Sequence, residues 1–458
     1  MTPLVPITMY GWPVVSMGLC RKKDIQTGIA VSVIIGFILL PMVTYDVPIL
    51  PRYTKSTSIA IGILLGSLIS GRSAYFPCKF SALDIPMILY CIISPIMTSL
   101  SNNLGIYNGL SDTVDYIMSW GIFFWIGRKY FGSPESLRVL TRTILIGGMI
   151  YFPLVLYEVR MSPQLSNIFY GFFPHSFMQG MRYGGFRPLV FMKHFLMVSF
   201  WMAITATIAC WFWKFKELDK VAKIPVWLIC LSLIGVTILC KSANGWMFVA
   251  IGAIAPLYYK RTRSTSLFKM LLIVVPLYIT ARLSGIISME SVASLFGKVF
   301  DAERIESLSV RLLQEDLFGA RAMQRALLGW GGFGRGWPID PYTGEQLIGM
   351  VDSLWILAFS THGLVGLISM YLSIGLGPWK VLTLLKRSRR NRRSEADEPF
   401  AIDAIVLSLI LCFFLLDSLM NAMASPVYIL CSGALVSYYL NRRGRNASPS
   451  ATTKSEAI

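Results

Sequence analysis

Charged side chains make up only 14% of this 458-residue chain, against about 25% in a soluble globular domain. That scarcity excludes an ordinary soluble enzyme or binding domain. Acidic residues are the scarcer sign, 24 Asp and Glu against 42 Lys and Arg. The three histidines, His175, His194 and His362, are far apart in sequence and form no H-x-x-x-H pair. Eight cysteines include no C-x-x-C, and none falls in the two longest outside loops identified below. The pattern therefore predicts no metal site and no disulfide framework. Internal repeats are absent, as is any polar segment long enough to fold alone.

What is present is apolar sequence, 55% of all residues. It falls into runs of a length suited to crossing a hydrocarbon core as helices, about 17–25 residues. The runs are 26–44, 58–71, 83–101, 112–130, 141–159, 188–212, 223–240, 244–259, 267–282, 351–377, 401–419 and 425–440. The expected fold is all-α: one integral membrane domain over 1–458, a polytopic bundle of about twelve spans. The stretch "MTPLVPITMYGWPVVSMGLC" has no basic n-region, so an uncleaved interfacial segment is expected.

A net charge of +18 invites a nucleic-acid partner, but the placement of the charge argues against one. Basic residues cluster at 21–24, 128–142, 214–223, 259–263, 386–398 and 441–445. With the spans above, all these clusters share one face, which the positive-inside rule makes cytoplasmic. Both termini, the 378–400 loop and the 441–458 tail are then cytoplasmic, and loops 160–187 and 283–350 lie outside. The 386–398 run is read as a solvated loop, with an anionic-lipid contact as the second reading.

The outside loop 283–350 contains "LGWGGFGRGW" at 328–337, five glycines in ten positions. It satisfies G-x-G-x-x-G, yet a dinucleotide fingerprint needs a strand before it and a helix opening at its last glycine. Here a helical pattern precedes it and an apolar span follows, so a dinucleotide site is excluded. The helical pattern covers 301–329, with Asp301 as expected N-cap and Gly329 as expected C′ glycine. Ile305, Leu308, Leu312, Leu313, Met323 and Leu327 share one side, and Arg304, Arg311, Arg321 and Arg325 the other.

Outside arginines run against the positive-inside trend, which makes Arg160, Arg182, Arg187, the loop-helix arginines and Arg335 informative. One reading is surface ion pairs, each worth about 0–1 kcal/mol. The other is a set of planar guanidinium forks suited to phosphate. Arg187 stands directly before Pro188, at the mouth of a span. The glycine stretch either brings backbone N–H groups to an anion or only turns tightly against Trp330 and Trp337. Asp352, opening the span "VDSLWILAFSTHGLVGL", is either a helix N-cap or a functional carboxylate. His362 lies deeper and is read as a packing residue. His194 is a secondary candidate, and Asp417 and Asn421 border the same end.

Three patches carry a family likeness: "GGFRPLVFMKHFL" at 184–196, "LCKSANGW" at 239–246, and "SVRLLQEDLFGARAMQRALLGWGGFGRGW" continuing to "VDSLWILAFSTHGLVGL". In order and topology the chain resembles the O-antigen ligase and polymerase superfamily of bacterial membrane glycosyltransferases, as a divergent branch. Arg187 matches the family arginine that follows the first long periplasmic loop. Arg311 best matches the second, with Arg321 a rival register. Asp352 stands where the family places a histidine.

The resemblance implies a bacterial cytoplasmic-membrane enzyme that needs no metal and no cofactor. Its partners would be a polyprenyl-diphosphate-linked glycan donor and a lipid or glycan acceptor. Arg187, Arg311 and Asp352 would then be catalytic, and Arg321, Arg325, Arg335, His194, Gly331 and Gly332 would bind substrate. A lipid-linked glycan flippase or polysaccharide exporter is the competing reading, and a structural envelope subunit a third. The topology makes one direct prediction. In Arg335→Cys, an impermeant thiol reagent should label position 335 from the outside of intact cells; labelling only from the cytoplasmic face would overturn the assignment of the 283–350 loop.

Overall fold

The computed structural model describes residues 1–22, 24–46, 52–70, 79–287, 302–332, 334–340, 343–347, 352–390 and 398–447. The chain is mostly helical, and the only strands among these residues are three two-stranded hairpins. Among the described residues, five helices are long and apolar enough to cross a membrane: Ala82–Ser101, Pro134–Met161, Phe195–Phe215, Ser266–Leu283 and Leu354–Leu385. Ile25–Leu39, Lys55–Ile69 and Val226–Leu239 are shorter apolar helices. Such a set is compatible with a membrane protein.

Each apolar run of the sequence coincides with a helix. The N-terminal segment is also helical, over Leu4–Lys22. It packs on its neighbours where glycines remove a side chain: a Cβ on Gly66 would meet Cys20 Sγ at 2.8 Å. The basic 378–400 segment begins as helix through Arg390, and 391–397 lies outside the described residues. Local caps set several helix starts. Asp24 accepts from Thr27 N at 2.9 Å, and Ser133 and Ser136 form a reciprocal capping box before Pro134–Met161.

Two predicted spans differ from the structure, and both differences have a backbone cause. The run 188–212 becomes helix only at Phe195. Pro188 has no N–H to give, and Val190 takes φ +52°, so 188–193 stays unwound. Its polar groups are satisfied by side chains. Glu158 Oε2 accepts from Leu189 N and Val190 N, both at 2.7 Å, while Oε1 accepts from Leu165 N at 2.8 Å. Tyr151 OH accepts from Phe191 N at 3.1 Å, and Lys55 Nζ donates to Phe191 O at 3.3 Å.

The run 351–377 is not one straight helix either. It breaks at Gly363, which adopts φ +61° and ψ −160°. The glycine stretch fills the break. Trp330 N donates to Ser360 O at 2.8 Å and Gly331 N to Thr361 O at 3.0 Å. On the far side, Leu364 N donates to Ala326 O at 2.7 Å and Val365 N to Leu327 O at 3.3 Å. Four backbone groups exposed by the break are thereby paired, each of which would cost about 1–3 kcal/mol if left alone in an apolar interior. Contact this close needs glycine on both sides. A Cβ on Gly363 would lie 2.4 Å from Leu327 O, and one on Gly329 would lie 2.5 Å from Thr361 O.

The loop helix, Ala302–Met323, is one continuous element ending before a run of turns. Asp301 and the side chains of Arg304 and Ile305 lie outside the described residues. Gly329 has φ +71° but closes those turns through Gly329 N to Arg325 O at 2.8 Å, rather than capping the helix directly. The helix is also rotated from the predicted orientation. Leu312, Glu315, Phe318 and Ala322 are buried, whereas Leu313, Met323 and Leu327 are exposed. The cause is Glu315, which forms an ion pair with Arg282 at 3.0 Å and accepts from Tyr278 OH at 2.8 Å.

The break gives a paired prediction. Gly363→Ala should be strongly destabilising, through both φ +61° and the Leu327 clash. Gly319→Ala, where a Cβ would meet only Leu283 Cδ2 at 3.9 Å, should gain about 0.5–1 kcal/mol from helix propensity. Thermal unfolding of the two purified proteins checks this, and equal midpoints would refute the plugged-break account.

Candidate functional site

The site forms where the unwound segment, the loop helix and three helix ends meet. Arg187 closes a small hairpin in which Met181 pairs with Phe186 and Arg182 with Gly185. Its amide donates to Gly180 O at 2.8 Å, and its guanidinium is buried over the Phe195 ring, 5.4 Å from the centroid. Lys241, from the 239–246 patch, donates to Tyr183 O at 3.2 Å and so braces the same hairpin. The cation is presented by a loop, and that loop is fixed on both sides.

His194 is the N-cap of Phe195–Phe215: its Nδ1 accepts from Leu196 N at 3.0 Å. That bond places the remaining proton on Nε2, so the ring offers a donor. Burial, then the charges of His175, Arg187, Arg311 and Lys193, lower its pKa to about 3. The imidazole is therefore neutral at physiological pH and is suited to donating a hydrogen bond, not to taking a proton. His175, remote in sequence, packs beside it with ring centroids 4.4 Å apart and the rings tilted by 57°. Burial lowers the His175 pKa as well, partly offset by the Asp352 carboxylate. Sequence spacing missed this pair because a loop fold, not a helical repeat, brings the rings together. Among the described residues, no group of three His, Cys, Asp or Glu could hold a metal ion.

Arg311 Nε pairs with Asp352 Oδ2 at 3.1 Å, with both side chains partly exposed, 26% and 42%. Between the two candidate registers, the structure brings Arg311 to Asp352. Asp352 is not the helix cap: the helix starts at Leu354, and Ser353 O accepts from Leu357 N at 3.3 Å. Asp417, buried at the end of Glu398–Asp417, accepts from Asn421 Nδ2 at 2.8 Å and from Asn244 Nδ2. Asn244 belongs to the 239–246 patch, so that patch reaches the site at two points. Arg311 acts electrostatically on Asp417 and on His194, and Arg187 on both histidines.

The other predicted ligands stand apart. Arg321 and Arg325 lie 3.8 and 4.8 Å from the Trp330 ring centroid. Arg325 Nη1 donates to Asn102 Oδ1 at 2.5 Å, and Arg321 Nη1 to Gln324 Oε1 at 2.7 Å. Arg321 is ten residues along the helix from Arg311, about 15 Å. Both arginines therefore brace the glycine turn rather than join Arg187 and Arg311. Gly331 is corrected too: its amide is taken by Thr361 O, so it has no N–H to offer an anion. Gly332 has φ +67°, and a Cβ there would meet Arg335 Cδ at 3.3 Å; Arg335 itself is exposed. His362 behaves as expected of a packing residue, buried with Nε2 2.8 Å from Tyr116 OH.

No protein-family model matches the chain, and no curated protein matches it either. Two guanidinium groups, a neutral imidazole donor and a carboxylate at one polar end can bind a dianionic group and accept one proton beside it.

Glu158 orders the segment next to Arg187 and was not foreseen. Glu158→Ala would leave the Leu165, Leu189 and Val190 amides without their acceptor, at about 1–3 kcal/mol each. Glu158→Gln retains one acceptor oxygen and should be milder. Thermal midpoints should fall in the order wild type, Gln, Ala; an unchanged midpoint for Ala would show that the clamp contributes nothing.

Proposed function

We propose that the protein transfers a glycan from a polyprenyl-diphosphate carrier to an acceptor hydroxyl, at the outer face of a bacterial cytoplasmic membrane. The reading includes a bundle of about twelve spans with both termini cytoplasmic. The observation that carries it is the Arg311–Asp352 pair at 3.1 Å, with both Arg187 and Arg311 acting on His194. The acceptor oxygen attacks the anomeric carbon, the bond from that carbon to the diphosphate oxygen breaks, and the hydroxyl proton passes to Asp352. Arg187 and Arg311 take the charge that develops on the departing diphosphate. His194 donates from Nε2 to the same anion.

A flippase or exporter would also use a discontinuous helix. Here the break at Gly363 is occupied by the 326–331 backbone and not open to a passage, which favours transfer. Ligase and polymerase differ only in the acceptor. A strain lacking the protein separates them: single units remaining mean polymerase, and complete polymer retained on the carrier means ligase.

The test uses purified protein and lipid-linked donor, with release of polyprenyl diphosphate as the readout. Arg187→Ala and Arg311→Ala should be inserted but inactive, and Lys should rescue each only partly, because it loses the bidentate fork. Asp352→Asn should lose about 10²–10⁴-fold, while Asp352→His should keep measurable activity. Wild-type turnover by both arginine variants, or by Asp352→Asn, would overturn the corresponding role.

A further inference from the structure

A groove of about 310 Å³ runs between the Ser266–Leu283 helix and the distal half of Leu354–Arg390. Its walls are Ile273, Val274, Leu277 and the Trp379 ring, and its upper end carries Ser266 and Lys269. Lys269 Nζ lies 5.6 Å from the Trp379 centroid. The hydroxyls of Tyr258, Ser264 and Ser266 are linked at that end by contacts of 3.1 and 2.8 Å. The groove is polar at one end only.

Charge and length select the occupant. The segments 257–277 and 371–385 contain no Asp or Glu, but include Lys260, Arg261, Arg263, Lys269 and Lys380, of which Lys269 lines the groove. From Ser266 to Leu277 the helix rises about 16 Å, close to half of the roughly 30 Å hydrocarbon thickness. One acyl chain with its headgroup at Lys269 would thus reach the bilayer midplane. The basic cluster 259–263, at the end of the Ala243–Thr262 helix, assigns this end to the cytoplasmic face by the positive-inside rule, where anionic lipids concentrate. Arg282, which anchors the loop helix, is thirteen residues from Lys269, about 20 Å away, so the polar end of the groove is remote from the loop helix.

We propose that this groove binds an anionic phospholipid of the cytoplasmic leaflet. Lys269 and the Ser266 hydroxyl hold the phosphate, and one acyl chain lies along Ile273, Val274 and Leu277. The site rests on the topology of the proposed function but not on its glycosyl-transfer chemistry. The full-length protein, purified in detergent, is equilibrated with phosphatidylglycerol and phosphatidylethanolamine of identical chains, and bound lipid is counted by native mass spectrometry. Phosphatidylglycerol should be retained in preference. A basic residue at an anionic surface is worth about a fivefold change in affinity, so Lys269→Gln should lower retention by about that factor. Ile273→Trp, which fills the groove, should lower it with either charge at Lys269, and Lys220→Gln, in an exposed hairpin outside the groove lining, should not. Equal retention of the two lipids, equal retention by wild type and Lys269→Gln, or a dimer that persists after lipid removal would each overturn the assignment.

Discussion

Where a chain leaves helical conformation inside an apolar bundle, its N–H and C=O groups still need partners, because no water is present to take them. This structure meets that constraint twice, and its candidate site lies beside one of the two solutions. At 188–193 the partners are side chains: Glu158, Tyr151 and Lys55 pair the unwound backbone that follows Arg187. At Gly363 the partner is main chain: the 326–331 turn donates to one half of the broken helix and accepts from the other. The glycines of that turn are there to let two backbones meet. Arg321 and Arg325 stack on Trp330 to hold the turn in place.

How much of this was legible follows from what each signal depends on. Helix positions depend on local apolar density, and every predicted run coincides with a helix. The Arg311–Asp352 pair joins two residues that the sequence already singled out, because arginines in a loop expected outside and a carboxylate before an apolar run are locally anomalous. The break at Gly363 was not legible, since a lone glycine in an apolar run has the same local pattern whether the helix continues or stops. The rotation of the loop helix was missed because the periodicity weighed apolar side chains, whereas Glu315 turns inward to a buried ion pair. Its partner, Arg282, sits at the end of another helix. His175 beside His194 and Glu158 beneath the unwound segment are likewise products of tertiary folding, with no trace in spacing.

Arg311 and Glu315, four residues apart on the loop helix, form ion pairs that differ in a way that bears on function; Asp316 adds a second carboxylate to Arg282 at 2.9 Å. Arg282 and Glu315 are 2% and 1% exposed, and their remaining valences are filled. Arg282 donates to Leu312 O and Ile287 O, and Glu315 accepts from Tyr278. Burial raises the Glu315 pKa, and the bonds from Tyr278 and Arg282 draw it back. Removing one partner of such a pair costs about 3–5 kcal/mol, because the other charge is left buried.

Arg311 and Asp352 are at the opposite limit. Their side chains are 26% and 42% exposed and joined through Nε alone, and pairs of that kind contribute about 0–1 kcal/mol. Opening this pair therefore costs little, while the helix that carries Arg311 stays fixed by the buried pair next to it. An incoming dianion can draw Arg311 away from Asp352 without disturbing the fold, and a bidentate phosphate contact is stronger than the single bond it replaces. The carboxylate left behind, 42% exposed, is then open to accept a proton. For the proposed transfer, that is the sequence required: anion binding comes first and releases the base that the attack needs.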